Sequence, residues 1–148
     1  MTDVSPHILI VTSRYYDKIA RELEEGVMDT LREAGATYEM IEVVGAFEIP
    51  AAIAMAAEAA EFDGFIGLGC VVRGETSHYD YVCGESARAL MDLSLTGLPI
   101  GYGILTCENQ EQAWVRADRN QKNKGKDVAD ACLSMIRLAR HFSDVEPS

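Results

Sequence analysis

Gly64-Phe-Ile-Gly-Leu-Gly-Cys-Val-Val-Arg-Gly-Glu-Thr-Ser-His78 is the stretch whose reading decides the fold. Gly64–Val72 is an apolar run with the character of a buried strand. Arg73-Gly-Glu-Thr-Ser77 then turns the chain, and a helical pattern opens at His78. A strand end, a flexible glycine, capping hydroxyls and a histidine therefore meet within one short segment. Backbone N–H groups at a helix start are unpaired and carry partial positive charge, so such a turn can hold an anion. A histidine beside it can move a proton near neutral pH. The same residues also suit a plain strand-to-helix connection in which Thr76 or Ser77 caps the helix. The segment alone leaves both readings open.

Working outward, His7–Thr12 is a short β-branched run and reads as the first strand. Ser13–Tyr16 reads as a loop, and a helix runs from a capping Asp17 to Ala34. Ile19, Leu23, Val27 with Met28, and Leu31 make its buried stripe. Gly35 suits the left-handed position that ends it. Ala36–Val44 is the second strand. Gly45–Pro50 leads into an alanine-rich helix over Pro50–Ala60, whose small side chains predict burial on two sides. The third helix spans His78–Leu95. A fourth strand lies within Leu98–Thr106, followed by a helix over Gln110–Asp118. A last helix runs from Lys126 to Phe142 with Val128, Ala131, Cys132, Met135, Ile136 and Leu138 inward, before a frayed tail, 143–148.

Strands and helices alternate four times, which predicts a parallel sheet covered by helices on both faces. The expected architecture is a three-layer α/β/α sandwich, flavodoxin-like, with a four-stranded sheet in the order 2-1-3-4. The 148 residues suit one domain, 1–148, with a short N-terminal arm over 1–6. Ligands of such sheets bind beyond the carboxyl ends of the strands.

Composition narrows the function. A net charge of −11, from 24 acidic and 13 basic residues, argues against nucleic-acid binding. No apolar run reaches membrane-spanning length, and the opening residues lack the parts of a signal peptide, so the cytoplasm is the expected location. Cys70, Cys83, Cys107 and Cys132 are scattered and, with three histidines, give no metal motif; they read as reduced, mostly buried thiols. No cofactor is implied. The strand-end loops hold Tyr15 and Tyr16, which can stack on a planar ring or lid the core. They also hold Gly45-Ala-Phe-Glu48, where Glu48 can accept a hydrogen bond or merely start a helix. Arg73 and the run Arg116, Arg119, Lys122, Lys124 and Lys126 could meet a phosphate or form a solvated surface. Ser13-Arg14 and Cys70-Val71 stand where a phosphorylated receiver would need acids. Arg14-Tyr15-Tyr16 is unlike a flavin phosphate loop.

Four segments carry a resemblance: Gly45-Ala-Phe-Glu-Ile-Pro50, the glycine-rich strand and turn from Gly67 to Val82, Gly103-Ile-Leu-Thr-x-Glu-Asn109, and Asn123-Lys-Gly125. Their order and spacing resemble those of the lumazine synthase family across Ile8 to Phe142. The resemblance implies condensation of 5-amino-6-(D-ribitylamino)uracil with 3,4-dihydroxy-2-butanone 4-phosphate. The product is 6,7-dimethyl-8-ribityllumazine, and the reaction is the penultimate step of riboflavin biosynthesis. It implies that Tyr15 stacks on the pyrimidine, that Ala46, Phe47 and Glu48 meet the ribityl chain, and that Cys70, Val71 and Val72 present backbone to the uracil edge. Glu75 and Thr76 would form the phosphate turn, Arg116 its charged partner and His78 the proton donor and acceptor. Tyr102 takes an aromatic position near the ring, and Lys124 is the Lys of Asn-Lys-Gly.

The family also implies a homopentamer with sites between subunits, some members packing twelve pentamers into a sixty-subunit shell. Pro6 and the glycine-poor Asp118–Lys122 stretch predict an isolated pentamer here. Alternative expectations are an archaeal-type riboflavin synthase and a non-catalytic flavin or lumazine carrier. Tyr16, where the family often has Asn, and Glu75, where it usually has a small residue, are departures from the pattern.

Overall fold

A computed structural model describes residues 4–144. The elements in chain order are β1 (His7–Ser13), α1 (Asp17–Glu33), β2 (Thr37–Val43), a 3₁₀ turn (Ala46–Glu48), α2 (Ile49–Glu58), β3 (Gly64–Val72), α3 (His78–Ser94), β4 (Ile100–Cys107), α4 (Gln110–Ala117) and α5 (Lys124–Ser143). The sheet order is β2-β1-β3-β4, with every neighbouring pair parallel. Ile8 is in register with both Tyr38 and Gly64, and Phe65 with Ile100. The expected order and layering are those observed.

Alternation along β1 divides the core in two, because successive side chains leave a strand on opposite faces. Ile8 and Ile10 join Leu23, Val27 and Leu31 of α1 and Cys132 and Ile136 of α5. Leu9 and Val11 join Ile49 and Ile53 of α2 and Val82 and Leu90 of α3. Phe65 of β3 is 2% exposed in the second layer. Removing a ring of that size from water stabilises the fold by about 2–3 kcal/mol.

Helices α1 and α5 meet backbone to backbone. A Cβ on Gly125 would lie 2.5 Å from the Leu23 carbonyl oxygen and 3.0 Å from the Val27 nitrogen, and one on Gly26 would lie 2.7 Å from Asn123 Oδ1. Asn123 precedes α5 in the left-handed conformation, φ 46°. Gly35 (φ 75°) ends the turn after α1 as expected.

Several expected details differ. Residue Tyr16, not Asp17, occupies the cap of α1, because the Asp17 carboxylate bonds Arg21 one turn later at 3.0 and 3.1 Å. Ser77 caps α3 by position only; the hydroxyl that accepts the His78 N–H, at 3.3 Å, is that of Thr76. Helix α2 is shorter than Pro50–Ala60, and Ala60 leaves it with φ 55°. Burial of α2 on two sides is not seen within the chain. Ile49, Pro50 and Ile53 are buried, while Met55 is 74% exposed, because only its sheet-facing side is packed against β1 and β3. In α5, Val128, Cys132 and Ile136 point inward, but Ala131, Met135 and Leu138 do not; Ala129 and Leu133 take their places. The helix begins two residues early, and Gly125 against α1 fixes which arc is buried. The arm over 1–6 and the tail over 143–148 lie partly outside the described residues. Within them, Ser143 still belongs to α5 and the Val4 carbonyl accepts from Arg140 at 2.8 Å.

Gly125→Ala is expected to destabilise the protein by about 1–3 kcal/mol, because the methyl meets backbone that cannot rotate away. Urea unfolding measures this, and an unchanged midpoint would mean that α1 and α5 can separate freely.

Candidate functional site

Parallel strands deliver their carboxyl ends to one edge, and a cleft of about 620 Å³ lies there. Ser13, Tyr15 and Tyr16 enter from the end of β1, and Val44, Gly45, Ala46, Phe47 and Glu48 from the end of β2. The end of β3 supplies Cys70, Val71 and Val72. Gly74, Thr76, His78, Tyr79 and Val82 close the cleft from the turn and from α3.

Each wall has a physical cause. Tyr16 packs on the core beneath the cleft, and burial raises its phenol above the ordinary range. Tyr15 is 77% exposed and touches Tyr16 edge-on, with ring centroids 5.0 Å apart at 71°. The two tyrosines thus divide the expected roles, one lidding the core and one offering a free face. Ala46 is buried and Phe47 exposed because the 3₁₀ turn rotates successive side chains from the core to the cleft. Glu48 is exposed and makes no side-chain cap of α2.

The turn after β3 is held from outside. The Arg73 N–H donates to the Cys107 carbonyl at 3.0 Å. Its guanidinium donates to Glu108 at 2.8 Å and Asp80 at 3.4 Å, and lies 4.4 Å from the Tyr79 ring centroid. Burial raises the Tyr79 phenol, so it stays protonated beneath that cation. Among the described residues, the N–H groups of Gly74, Glu75, Thr76 and Ser77 have no acceptor. Four unpaired donors next to the positive end of α3 are the chemistry that an anion can meet through backbone alone. Glu75 stands on this turn but not on the cleft lining, with its side chain in solvent.

The remaining expected residues are not in this cleft. Tyr102 is on β4, half-buried, and burial raises its phenol. Arg116 lies on α4, and Lys124 begins α5 paired with Asp127 at 3.5 Å. The basic run is mostly neutralised: Arg119 pairs with Glu22 at 3.2 Å and Asp29 at 3.1 Å, and Lys126 with Asp130. Arg116 and Lys122 differ: neither meets a carboxylate among the described residues, and the Arg116 guanidinium donates to the Gln112 carbonyl at 3.0 Å. Sequence reasoning placed Ser13, Gly45 and Gly74 in the strand-end loops but missed Val44, Tyr79 and Val82 as cleft residues. The signal for Val44 was its place beside the Gly45 turn; Tyr79 and Val82 follow His78 on the first turns of α3.

The model of the 6,7-dimethyl-8-ribityllumazine synthase family matches residues 5–140. The chain belongs to that family. It is similar to the 6,7-dimethyl-8-ribityllumazine synthase of Agrobacterium fabrum, 57% identical over 141 residues, which covers 91% of this chain and 95% of the relative. The relative from Bartonella tribocorum is 52% identical, covering 94% and 93%, and 6,7-dimethyl-8-ribityllumazine synthase 1 of Rhizobium meliloti is 53% identical, covering 96% and 97%. Family membership agrees with the observed strand order. Among the described residues no helix is long and apolar enough to cross a membrane, and no cluster of His, Cys, Asp and Glu could hold a metal ion.

Burial pushes the thiols of Cys70, in the cleft, and Cys132, under the sheet, up to about 12. At pH 8 each is therefore about one part in ten thousand thiolate, and Cys70 is a wall rather than a nucleophile. Native protein treated with iodoacetamide at pH 8 is expected to carry no label on either residue by peptide mass spectrometry, with full labelling after denaturation. Labelling of native Cys70 would contradict its burial.

Proposed function

We propose that the protein is a transferase that condenses 5-amino-6-(D-ribitylamino)uracil with 3,4-dihydroxy-2-butanone 4-phosphate. It yields 6,7-dimethyl-8-ribityllumazine, phosphate and water, the penultimate step of riboflavin biosynthesis. The observation that carries this reading is one cleft joining an open aromatic face, a strand's peptide edge, a turn of free N–H donors and a histidine. Tyr15 stacks on the pyrimidine, and the backbones of Cys70, Val71 and Val72 meet its polar edge. Ala46, Phe47 and Glu48 follow the ribityl chain. The turn Gly74–Ser77 holds the phosphate through backbone N–H groups, which lets Glu75 stand there with its carboxylate turned to solvent.

The substrate's own amine attacks the ketone, so no protein nucleophile is required. Imine formation, phosphate loss and ring closure move protons, and His78 at the start of α3 gives and takes them. Most of the acceleration comes from holding two substrates together against fixed donors. Tyr102, Arg116 and Lys124 complete the cleft of a neighbouring copy in a homopentamer. Three observations support that placement: Arg116 has no carboxylate partner among the described residues, Tyr102 is 42% exposed, and α2 leaves an uncovered face with Met55.

Mixing the purified protein with both substrates is expected to give lumazine fluorescence, and no product would overturn the reading. His78→Ala is expected to slow turnover by about 10²–10⁴ without abolishing it. A greater loss would mean that chemistry, not positioning, dominates. Arg116→Ala is expected to raise KM for the phosphorylated ketone by at least about tenfold, with a smaller effect on the pyrimidine. An unchanged ketone KM would remove Arg116 from the phosphate.

A further inference from the structure

One buried charge has no part in the chemistry above. Glu24 lies two turns into α1, 3% exposed, between the helix and the sheet. Its carboxylate accepts three hydrogen bonds: from Arg14 Nε at 2.9 Å, from Arg14 Nη2 at 2.9 Å and from Thr12 Oγ1 at 2.8 Å. On its far side, Arg14 reaches Glu42 at 3.5 Å and Met40 Sδ at 3.5 Å on β2. The guanidinium thus ties β1, α1 and β2 together where β1 ends.

Stability alone does not explain such a group. An ion pair taken out of water loses hydration that its attraction only partly returns, and apolar residues of similar volume often serve folding as well or better. The pair does have a geometric effect. Only Arg14, Tyr15 and Tyr16 connect β1 to α1. Tyr15 is 77% exposed, and among the described residues its ring touches one other aromatic ring, edge-on. With Tyr16 its one aromatic neighbour and most of its surface open, the Tyr15 ring points largely where its backbone points. That backbone follows Arg14, whose planar head is gripped at two nitrogens by a carboxylate that cannot move.

We propose that Glu24, acting through Arg14, is a positioning residue that holds the Tyr15 ring in register with the pyrimidine substrate. The inference rests on the proposed stacking role of Tyr15. Removing the grip lets the loop wander, so the pyrimidine loses its platform while the phosphate turn and His78, on a different connection, are untouched.

The test is the double variant Arg14→Met/Glu24→Leu, assayed with both substrates and by titration of the ribitylaminouracil against Trp114 fluorescence. Removing both charges avoids stranding either one. The expected result is a thermal midpoint close to that of the parent and a KM and Kd for the pyrimidine raised about tenfold. The ketone KM and kcat are expected to stay within about twofold. In a Tyr15→Ala background the same pair of changes is expected to add less than about twofold, because the residue it acts through is gone. Parent-like pyrimidine binding in the double variant would overturn the proposal, and so would an undiminished effect in the Tyr15→Ala background. If the double variant fails to fold, Arg14→Lys decides: it keeps the charge but loses the two-pronged grip. The same selective loss supports the proposal and parent-like pyrimidine binding refutes it. A parent that binds the pyrimidine yet makes no lumazine would overturn the proposed reaction, and the binding comparison would still judge Glu24.

Discussion

Close approach of two helices to the sheet governs the shape of its carboxyl edge. A Cβ on Gly67 of β3 would lie 2.8 Å from Ile49 of α2, and one on Gly101 of β4 would lie 2.6 Å from the Val128 carbonyl of α5. The absence of side chains at these points lets α2 and α5 seat closely against opposite faces of the sheet. Seating α2 so deeply draws its approach, Gly45–Glu48, against the end of β3: a Cβ on Gly69 would sit in ordinary contact with Ala46, at 3.5 Å. Phe47 and Glu48 are thereby carried to the rim of the cleft. A bulkier β3 would keep the fold's topology and lose this wall.

Charge is distributed by the same economy. On the proposed reading, a chain of net charge −11 meets an anionic substrate with the peptide N–H groups of its own turn, and the side-chain cation comes from a neighbouring copy. Arg73, the cation nearest that turn, is held by Glu108 and Asp80 and works as a brace. Acid groups that would oppose a phosphate are likewise committed: Asp80 to Arg73, and Glu75 to solvent.

Strand order and both faces of the core were legible in the sequence, and the reasons are local. Gly64–Val72 has no polar interruption, and the α1 stripe keeps strict helical spacing, so both elements are specified by residues adjacent in the chain. What failed depends on partners distant in sequence. The buried arc of α5 is set by Gly125 meeting Leu23 and Val27, which no periodicity within α5 reveals. Asp17 looks like a cap until Arg21 takes its carboxylate. Glu24 looks like one more surface acid in Glu22-Leu-Glu-Glu25 and is a core residue only because Arg14 and Thr12 converge on it. The cleft residues of the family motifs were legible as a set; which of them one chain brings together was not, because Tyr102, Arg116 and Lys124 fall on other parts of the surface.

The brace at Arg73 has a consequence for how the protein behaves when dilute. On the proposed reading, one chain holds the donors for a phosphate but has committed its nearest cation, and Arg116, which meets no carboxylate among the described residues, serves a neighbour. Turnover then belongs to a contact between copies rather than to a chain. Its rate per milligram would follow the law of mass action: constant while the ring is intact, then falling steeply below the concentration at which subunits part. Substrate bridging two chains would push that concentration lower, so the enzyme would be sturdiest when working.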